Sequence, residues 1–323
     1  MIDLGTLPGG SYTWVQGINN SGQVVGWGTD ASGVARAFLY SGGTNSLLVT
    51  GAWGGEAFGI NDSGQVAGYY YVTASGVSHA FLYRGGSLTD LGTLPGGAFS
   101  GANAINNGGQ VVGYSVTASG VSHAFRYSGG TMTDLGTLGG SSSTAFAINN
   151  SGQVVGDSYT ASGADHAFLY SGGAMTDLGT LPGGGSYTPA LGINSSGQVV
   201  GHCILANGDY HAFLWSGGTM IDLNSLVTLP GGAHLETAYG INDLGQVAAN
   251  GSDGHAYLLT LGNLTLGNSL LTVLNPFALY ACGHQAPPTL DVPTVLRSPP
   301  ATSLAADGAS AVVLVYRSRS PSP

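Results

Sequence analysis

The chain has 323 residues, 57 of them glycine, with no lysine, six arginines and sixteen acidic residues, for a formal charge of −10 and a pI near 4.8. So few cations argue against a nucleic-acid partner, which needs clustered Lys and Arg to displace counterions, and the missing lysine removes Schiff-base chemistry. With 43% hydrophobic residues and sixteen tyrosines, the glycines read as turns between packed segments rather than as low complexity, and no run reaches the length of a membrane span.

In chain order, Met1-Ile2 leads directly into Asp3-Leu4-Gly5-Thr6-Leu7 without a charged, apolar leader, so a secreted protein is met here without its signal peptide. Ile18-Asn19-Asn20-Ser21-Gly22-Gln23-Val24-Val25-Gly26 follows, and its wording returns from Ile60, Ile105, Ile148, Ile193 and Ile241. Steps of 42 to 48 residues are the mark of a repeat architecture. Each copy is an apolar approach, a polar turn tolerant of positive φ and an apolar exit, the pattern of a β-hairpin. A second unit, His-Ala-Phe-Leu-Tyr or a variant, starts at Arg36, His79, His123, His166, His211 and His255. A third, Asp-Leu-Gly-Thr-Leu, stands at Asp3, Asp90, Asp134 and Asp177. One repeat therefore reads as four short strands: into Ile-Asn, at Gln-Val-Val-Gly, at Ala-Phe-Leu-Tyr and at Asp-Leu-Gly-Thr-Leu.

This predicts an all-β fold, a six-bladed β-propeller over residues 1–261. The N-terminal strand, residues 1–9, is expected to complete the last blade and remove its free edge. A last strand from Leu264–Leu271, and a count of five or seven blades, are the alternatives. Beyond Gly262 the repeat wording stops, and residues 262–323 read as a Pro-rich linker and tail or the start of a further module. Cys203 and Cys282 are too few for a disulfide framework.

The recurring His-Ala-Phe, Asp-Leu-Gly-Thr-Leu and Ile-Asn-x-x-Gly-Gln-Val-Val-Gly units resemble the HAF family of probable extracellular bacterial repeats, over residues 1 to about 260. The resemblance implies a secreted or surface protein of propeller-like fold and brings no catalytic residue with it.

Residues repeated in every copy are explained by the blade: the Asn of Ile-Asn as a turn stabiliser, and the His before Ala-Phe as a structural hydrogen-bonder, to the Asp of the fourth strand or a loop carbonyl. Function is sought where copies disagree. After the last glycine of the second strand stand Trp27, Tyr69 and Tyr114 in three copies, then Asp157, His202 and Asn250 in the next three. The two glutamates, Glu56 and Glu236, both open a first strand, with Gln16 and Asn103 further in. Two readings follow. One is a ligand-binding module, with Trp14, Trp27, Tyr69, Tyr70 and Tyr114 as contacts for a carbohydrate or a surface protein, most simply as a monomer. The other has Glu56, Asn103 and Glu236 hold calcium, which takes several oxygen ligands in loose geometry, with Asp157 or His202 handling the proton of a lactone or ester hydrolysis. That arrangement resembles six-bladed lactonases of the gluconolactonase and paraoxonase kind, and acyl-homoserine lactones are the substrates to try. Gly-x-Ser-x-Gly, phosphate-cradle and zinc spacings do not occur.

Overall fold

A computed structural model describes residues 2–51 and 53–261, and the expectations for residues 262–323, including Leu264–Leu271 and Cys282, lie outside the described residues. Five sheets have four antiparallel strands in chain order and the sixth has three. The blades span residues 13–47, 55–90, 100–134, 139–177, 190–222 and 235–260, and the described helix amounts to two 3-10 turns, Leu223–Ser225 and Pro230–Gly232. Because the strands alternate in direction, the Ile-Asn hairpins of all six blades lie at one end of the disc, the lower end. The connections into each first strand, and those between second and third strands, lie at the upper end.

Alternation along each strand packs one blade on the next. Val112 and Ala124 of blade three cluster with Ala145, Val154 and Phe168 of blade four. The opposite face of blade three, Val111 and Phe125, meets Ala67 and Ala80 of blade two. Phe38, Phe81, Phe125, Phe168 and Phe213, the Phe of each Ala-Phe unit, are all 0% exposed. Removing one such ring costs about 3–5 kcal/mol.

The Ile-Asn hairpins also lock blade to blade. Asn61 Oδ1 accepts from the amides of Ser63 (3.1 Å) and Gln65 (2.9 Å). Its Nδ2 donates to Gln65 Oε1 (2.7 Å) and, in the next blade, to the Asn106 carbonyl (3.0 Å). Gly64 supplies the φ of 73° that closes the turn. The same hand-off runs from Asn19 to Asn61, Asn106 to Asn149, Asn149 to Asn194 and Asn194 to Asn242.

Sequence and structure differ at the fourth strand. It is the four residues that end in the aspartate, as in Ser87–Asp90 and Thr131–Asp134, while Leu-Gly-Thr-Leu is the connection that follows. Asp3 is the counterpart of Asp90: Gly5 N–H donates to Asp3 as Gly92 N–H donates to Asp90. Residues 2–9 therefore correspond to a connection, and the strand expected from residues 1–9 is not among the described pairs of blade six. They lie along blade one, where Asn45 donates to the Leu4 carbonyl, Thr13 to that of Gly5, and Leu7 is 1% exposed.

Among the described residues, the packing between blade six and blade one is incomplete. The hand-off stops at Asn242, whose amide donates within its own hairpin to Gln246. Gly192 sits against Gly240, but nothing stands within 4 Å of where a Gly240 side chain would begin. Val200, Ala212 and Leu214 of blade five are fully buried, whereas their counterparts in blade six, Ala248, Ala256 and Leu258, are exposed. Across the seam, Val15 and Ile18 of blade one are 50% and 69% exposed.

Candidate functional site

The lower mouth holds a pocket of about 300 Å³ lined by the Ile-Asn hairpins of all six blades, from Ile18–Asn20 to Ile241–Asp243. Its polar groups are spent on the ring itself. Asp62 accepts from the Asn20 amide (3.1 Å), Asn20 Nδ2 (3.0 Å) and Asn107 Nδ2 (2.8 Å), and these donors hold its carboxyl below the usual range. This is structure repeated by the fold rather than a site assembled for a ligand.

At the upper end, the repeated histidines bond the aspartates as the sequence suggests. His79 Nδ1 lies 2.9 Å from Asp90, His123 2.8 Å from Asp134, His166 2.9 Å from Asp177 and His211 2.7 Å from Asp222. Arg36 takes the place of the histidine in blade one and pairs with Asp30 at 2.8 Å. Each pair is tied into a blade, His79, His123, His166 and His211 joining the start of a third strand to the end of a fourth, so the role is positional.

The variable position after the second-strand glycine is built differently. Trp27, Tyr69, Tyr114, Asp157, His202 and Asn250 stand opposite Ala37, Ala80, Ala124, Ala167, Ala212 and Ala256. The Ala of His-Ala-Phe thus leaves room beside each variable side chain, which is how one scaffold carries an indole, a phenol, a carboxyl or an imidazole there.

Two clusters result. In blades two and three, Tyr69 stands opposite Glu56. Burial first, then hydrogen bonding to Tyr71 and Glu56, holds the Tyr69 hydroxyl far above its ordinary value. Phe58 stacks on Tyr69 at 5.8 Å and Tyr71 meets it edge-on at 5.5 Å. Tyr114 joins them, its hydroxyl raised by burial and then by the charges of Tyr71 and Glu56. Trp27 is packed edge-on by Tyr12 at 5.4 Å, and Trp14, opposite Trp27, is 61% exposed. Tyr70 turns to the other face, where its hydroxyl donates to Asp90 (3.0 Å) and burial and that carboxylate push it up to about 12.

The second cluster spans blades four and five. Burial, and then the Asp165 carboxylate, push the half-buried Asp157 carboxyl up to about 7, against which Thr144 donates a hydrogen bond. Burial holds His202 below its ordinary value, and neither ring nitrogen has a partner. Tyr187 links the two: its ring lies 5.6 Å from His202, and burial followed by the Asp157 and Asp165 charges raises its hydroxyl. Tyr210 flanks His202 at 5.3 Å.

The residues expected to hold calcium come from three blades. Glu56 is engaged by Tyr69, Asn103 donates its amide to the Ala145 carbonyl (2.8 Å), and Glu236 stands in the first strand of blade six. Asn103 and Gln16 occupy the bulged position that each first strand carries, which is why they sit out of register with the strand beside them. Among the described residues no three His, Cys, Asp or Glu side chains converge as a metal-holding group.

Sequence reasoning passed over Tyr12, Trp53, Phe99, Tyr159, Tyr187 and Tyr210, which are 36–48% exposed on the upper face. Four of them lie in the connections into first strands, and the signal available was their position: aromatic residues exactly where one copy departs from the next would be hard to see without knowing which end each connection reaches.

No protein-family model matches the chain, and no curated protein matches it in sequence. Among solved structures it is similar to the β-propeller domain of the Trilobed protease from Pyrococcus furiosus, described as having an open velcro topology, at 10% identity over 78% of this chain and 85% of that one, with a TM-score of 0.50. It is also similar to the SapL1 lectin in complex with alpha methyl fucoside, at 15% identity over 77% of this chain and 92% of that one, TM-score 0.42. A gluconolactonase from Xanthomonas campestris gives 12% identity over 77% and 86%, TM-score 0.41. The first likeness carries the conclusion that these repeats are the blades of a β-propeller, and it speaks to fold alone.

Proposed function

We propose that this propeller is a carbohydrate-binding module that uses its upper face. The observation that carries the reading is the set of exposed rings there, Trp14 with Tyr12, Trp53, Phe99, Tyr187 and Tyr210, set among carboxyl, phenol and imidazole groups. An exposed aromatic set of this kind marks an interaction surface, and a pyranose suits it: its apolar face stacks on rings while its hydroxyls need donors and acceptors close by. The repeat wording supports a place among the HAF-type repeats, and with it an extracellular or surface location for a monomeric binder. Trp27 packs against the exposed Tyr12 and stands opposite Trp14, and Tyr69 and Tyr114 are proposed as further ligand contacts. The test is a glycan array. Binding by the wild type that falls at least tenfold in Trp14→Ala supports the proposal; silence on the array, with capture of a surface protein instead, turns it to the protein-binding alternative.

A second reading is favoured by one observation, the Asp157 carboxyl pushed up to about 7, with His202 across the Tyr187 ring from it. Such a carboxyl can accept a proton from water at neutral pH, as hydrolysis of a lactone or ester requires. A calcium ion held by Glu56, Asn103 and Glu236 would polarise the carbonyl in that scheme. Turnover of acyl-homoserine lactones that is lost with chelator and in the Glu56→Gln, Glu236→Gln double variant supports it; no turnover ends it.

A further inference from the structure

Five aspartates of the upper face are compensated by a neighbouring cation or histidine. Asp30 has Arg36, and Asp90, Asp134, Asp177 and Asp222 each have a histidine. Asp157 and Asp165 form no such pair, and only the more distant His166 charge acts on Asp165. The arginines among the described residues, Arg36, Arg84 and Arg126, belong to blades one to three, and the chain has no lysine. Asp165 is 9% exposed and its buried Oδ1 accepts no hydrogen bond. His166, its neighbour in sequence, turns Nδ1 to Asp177. His202 presents two buried ring nitrogens without partners. Two carboxyl groups close enough to repel each other, with His202 across the Tyr187 ring from them, form a cluster short of positive charge.

The surroundings of this cluster are aromatic. Tyr187 and Tyr210 lie 5.6 Å and 5.3 Å from the His202 ring, and Tyr159, Tyr187 and Tyr210 are 40%, 36% and 43% exposed, so the cluster meets solvent at their rings. Ring faces and carboxylates together attract an organic cation. A neutral hydroxyl would leave the two acids uncompensated. A divalent metal is disfavoured, since no three metal-ligating side chains converge among the described residues.

We propose that Asp157, Asp165, Tyr187, His202 and Tyr210 form a subsite for an organic ammonium group. Resting on the carbohydrate reading above, this makes an amino sugar the ligand class. His202 then hydrogen-bonds a hydroxyl beside the ammonium, and the two carboxylates supply the countercharge.

The probe is cyclohexylammonium, compared with cyclohexanol of the same shape, titrated into the full chain at pH 8 and followed through the histidine and tyrosine ring signals by NMR. The ammonium binds at least tenfold tighter than the alcohol and moves the His202 signals. Asp165→Asn and Tyr187→Ala each remove that preference, and Tyr187→Ala, at an exposed position, keeps the test decisive if Asp165→Asn does not fold. Equal binding of the two probes, an unmoved His202, or an unchanged preference in Tyr187→Ala overturns the subsite. Deacetylated and acetylated chitooligosaccharides form a second arm. Preference for the deacetylated form supports the amino-sugar assignment, and equal binding overturns it while leaving carbohydrate binding intact. Ammonium binding without any oligosaccharide binding overturns the carbohydrate reading and keeps the subsite.

Discussion

Asp157 shows how a single position decides chemistry on an otherwise repeated scaffold. Copies one to three place an aromatic side chain there, and copies four and five place a carboxyl and an imidazole, each with a small Ala opposite. Burial and the Asp165 charge move the Asp157 carboxyl from 3.8 to about 7. The sign for stability follows by linkage. Between those two values the unfolded chain gives up its proton while the folded chain keeps it, so stability falls as pH rises through the window and the penalty is complete above about 7. Its upper bound is about 4 kcal/mol. Asp157→Asn is therefore expected to be more stable than the wild type at pH 8 and no more stable at pH 4, read from urea midpoints. Equal midpoints at pH 8 contradict this assignment. The groups facing Asp157 (Asp165, Tyr187 and Thr144) are unchanged in the comparison. His202 acts in the opposite sense, since burial keeps it neutral and stability is lost as acid protonates it only in the unfolded chain.

At the scale of the element, the hairpin is the unit that repeats. Asn106 and Asn242 make the same bonds within their turns, to Gln110 and Gln246. They differ across the blades, because Asn106 also donates to the Asn149 carbonyl of the next blade at 3.0 Å, whereas the further bond of Asn242, from Leu244 N–H, stays within its own turn. Asn106→Ala is expected to cost more than Asn242→Ala by about 1–3 kcal/mol, the range for leaving a buried partner unsatisfied, measured by chemical denaturation. Equal costs contradict the hand-off as a source of stability. Most of this was legible in the sequence, because a turn written six times with Asn, Gly and Gln at fixed places leaves little freedom in what it forms. The fourth strand was misplaced for a physical reason: Asp-Leu-Gly-Thr-Leu is the most regular wording nearby, yet its glycine takes positive φ, as Gly92 does at 68°, and ends the strand at the aspartate. The site was legible only in part. Disagreement between copies pointed to Asp157 and His202, but Asp165 and Tyr187 reach them from a neighbouring strand and a connection, and no spacing in the chain encodes that meeting.

Across the whole molecule, five of the six blade-to-blade steps are packed alike and, among the described residues, the seam between blades six and one is not. A ring held at five joints opens most easily at the sixth. Hydrogen exchange is expected to be fastest in the second and third strands of blade six, Gln246–Gly251 and Ala256–Thr260, and slowest in blades three and four. Uniform exchange around the ring contradicts incomplete packing at this seam. The two ends of the disc differ as well. The lower pocket is walled by side chains that bond one another, while the upper face keeps its rings exposed and leaves Asp165 Oδ1 and both His202 ring nitrogens without hydrogen-bond partners. The central claim is that ligand is taken at the upper end, and exchange footprinting tests it most directly. With a glycan selected on an array, saturating ligand should slow exchange in the upper connections around Tyr12, Phe99 and Tyr187 and leave the Ile-Asn hairpins unchanged. Protection confined to the hairpins at the lower mouth would contradict the account.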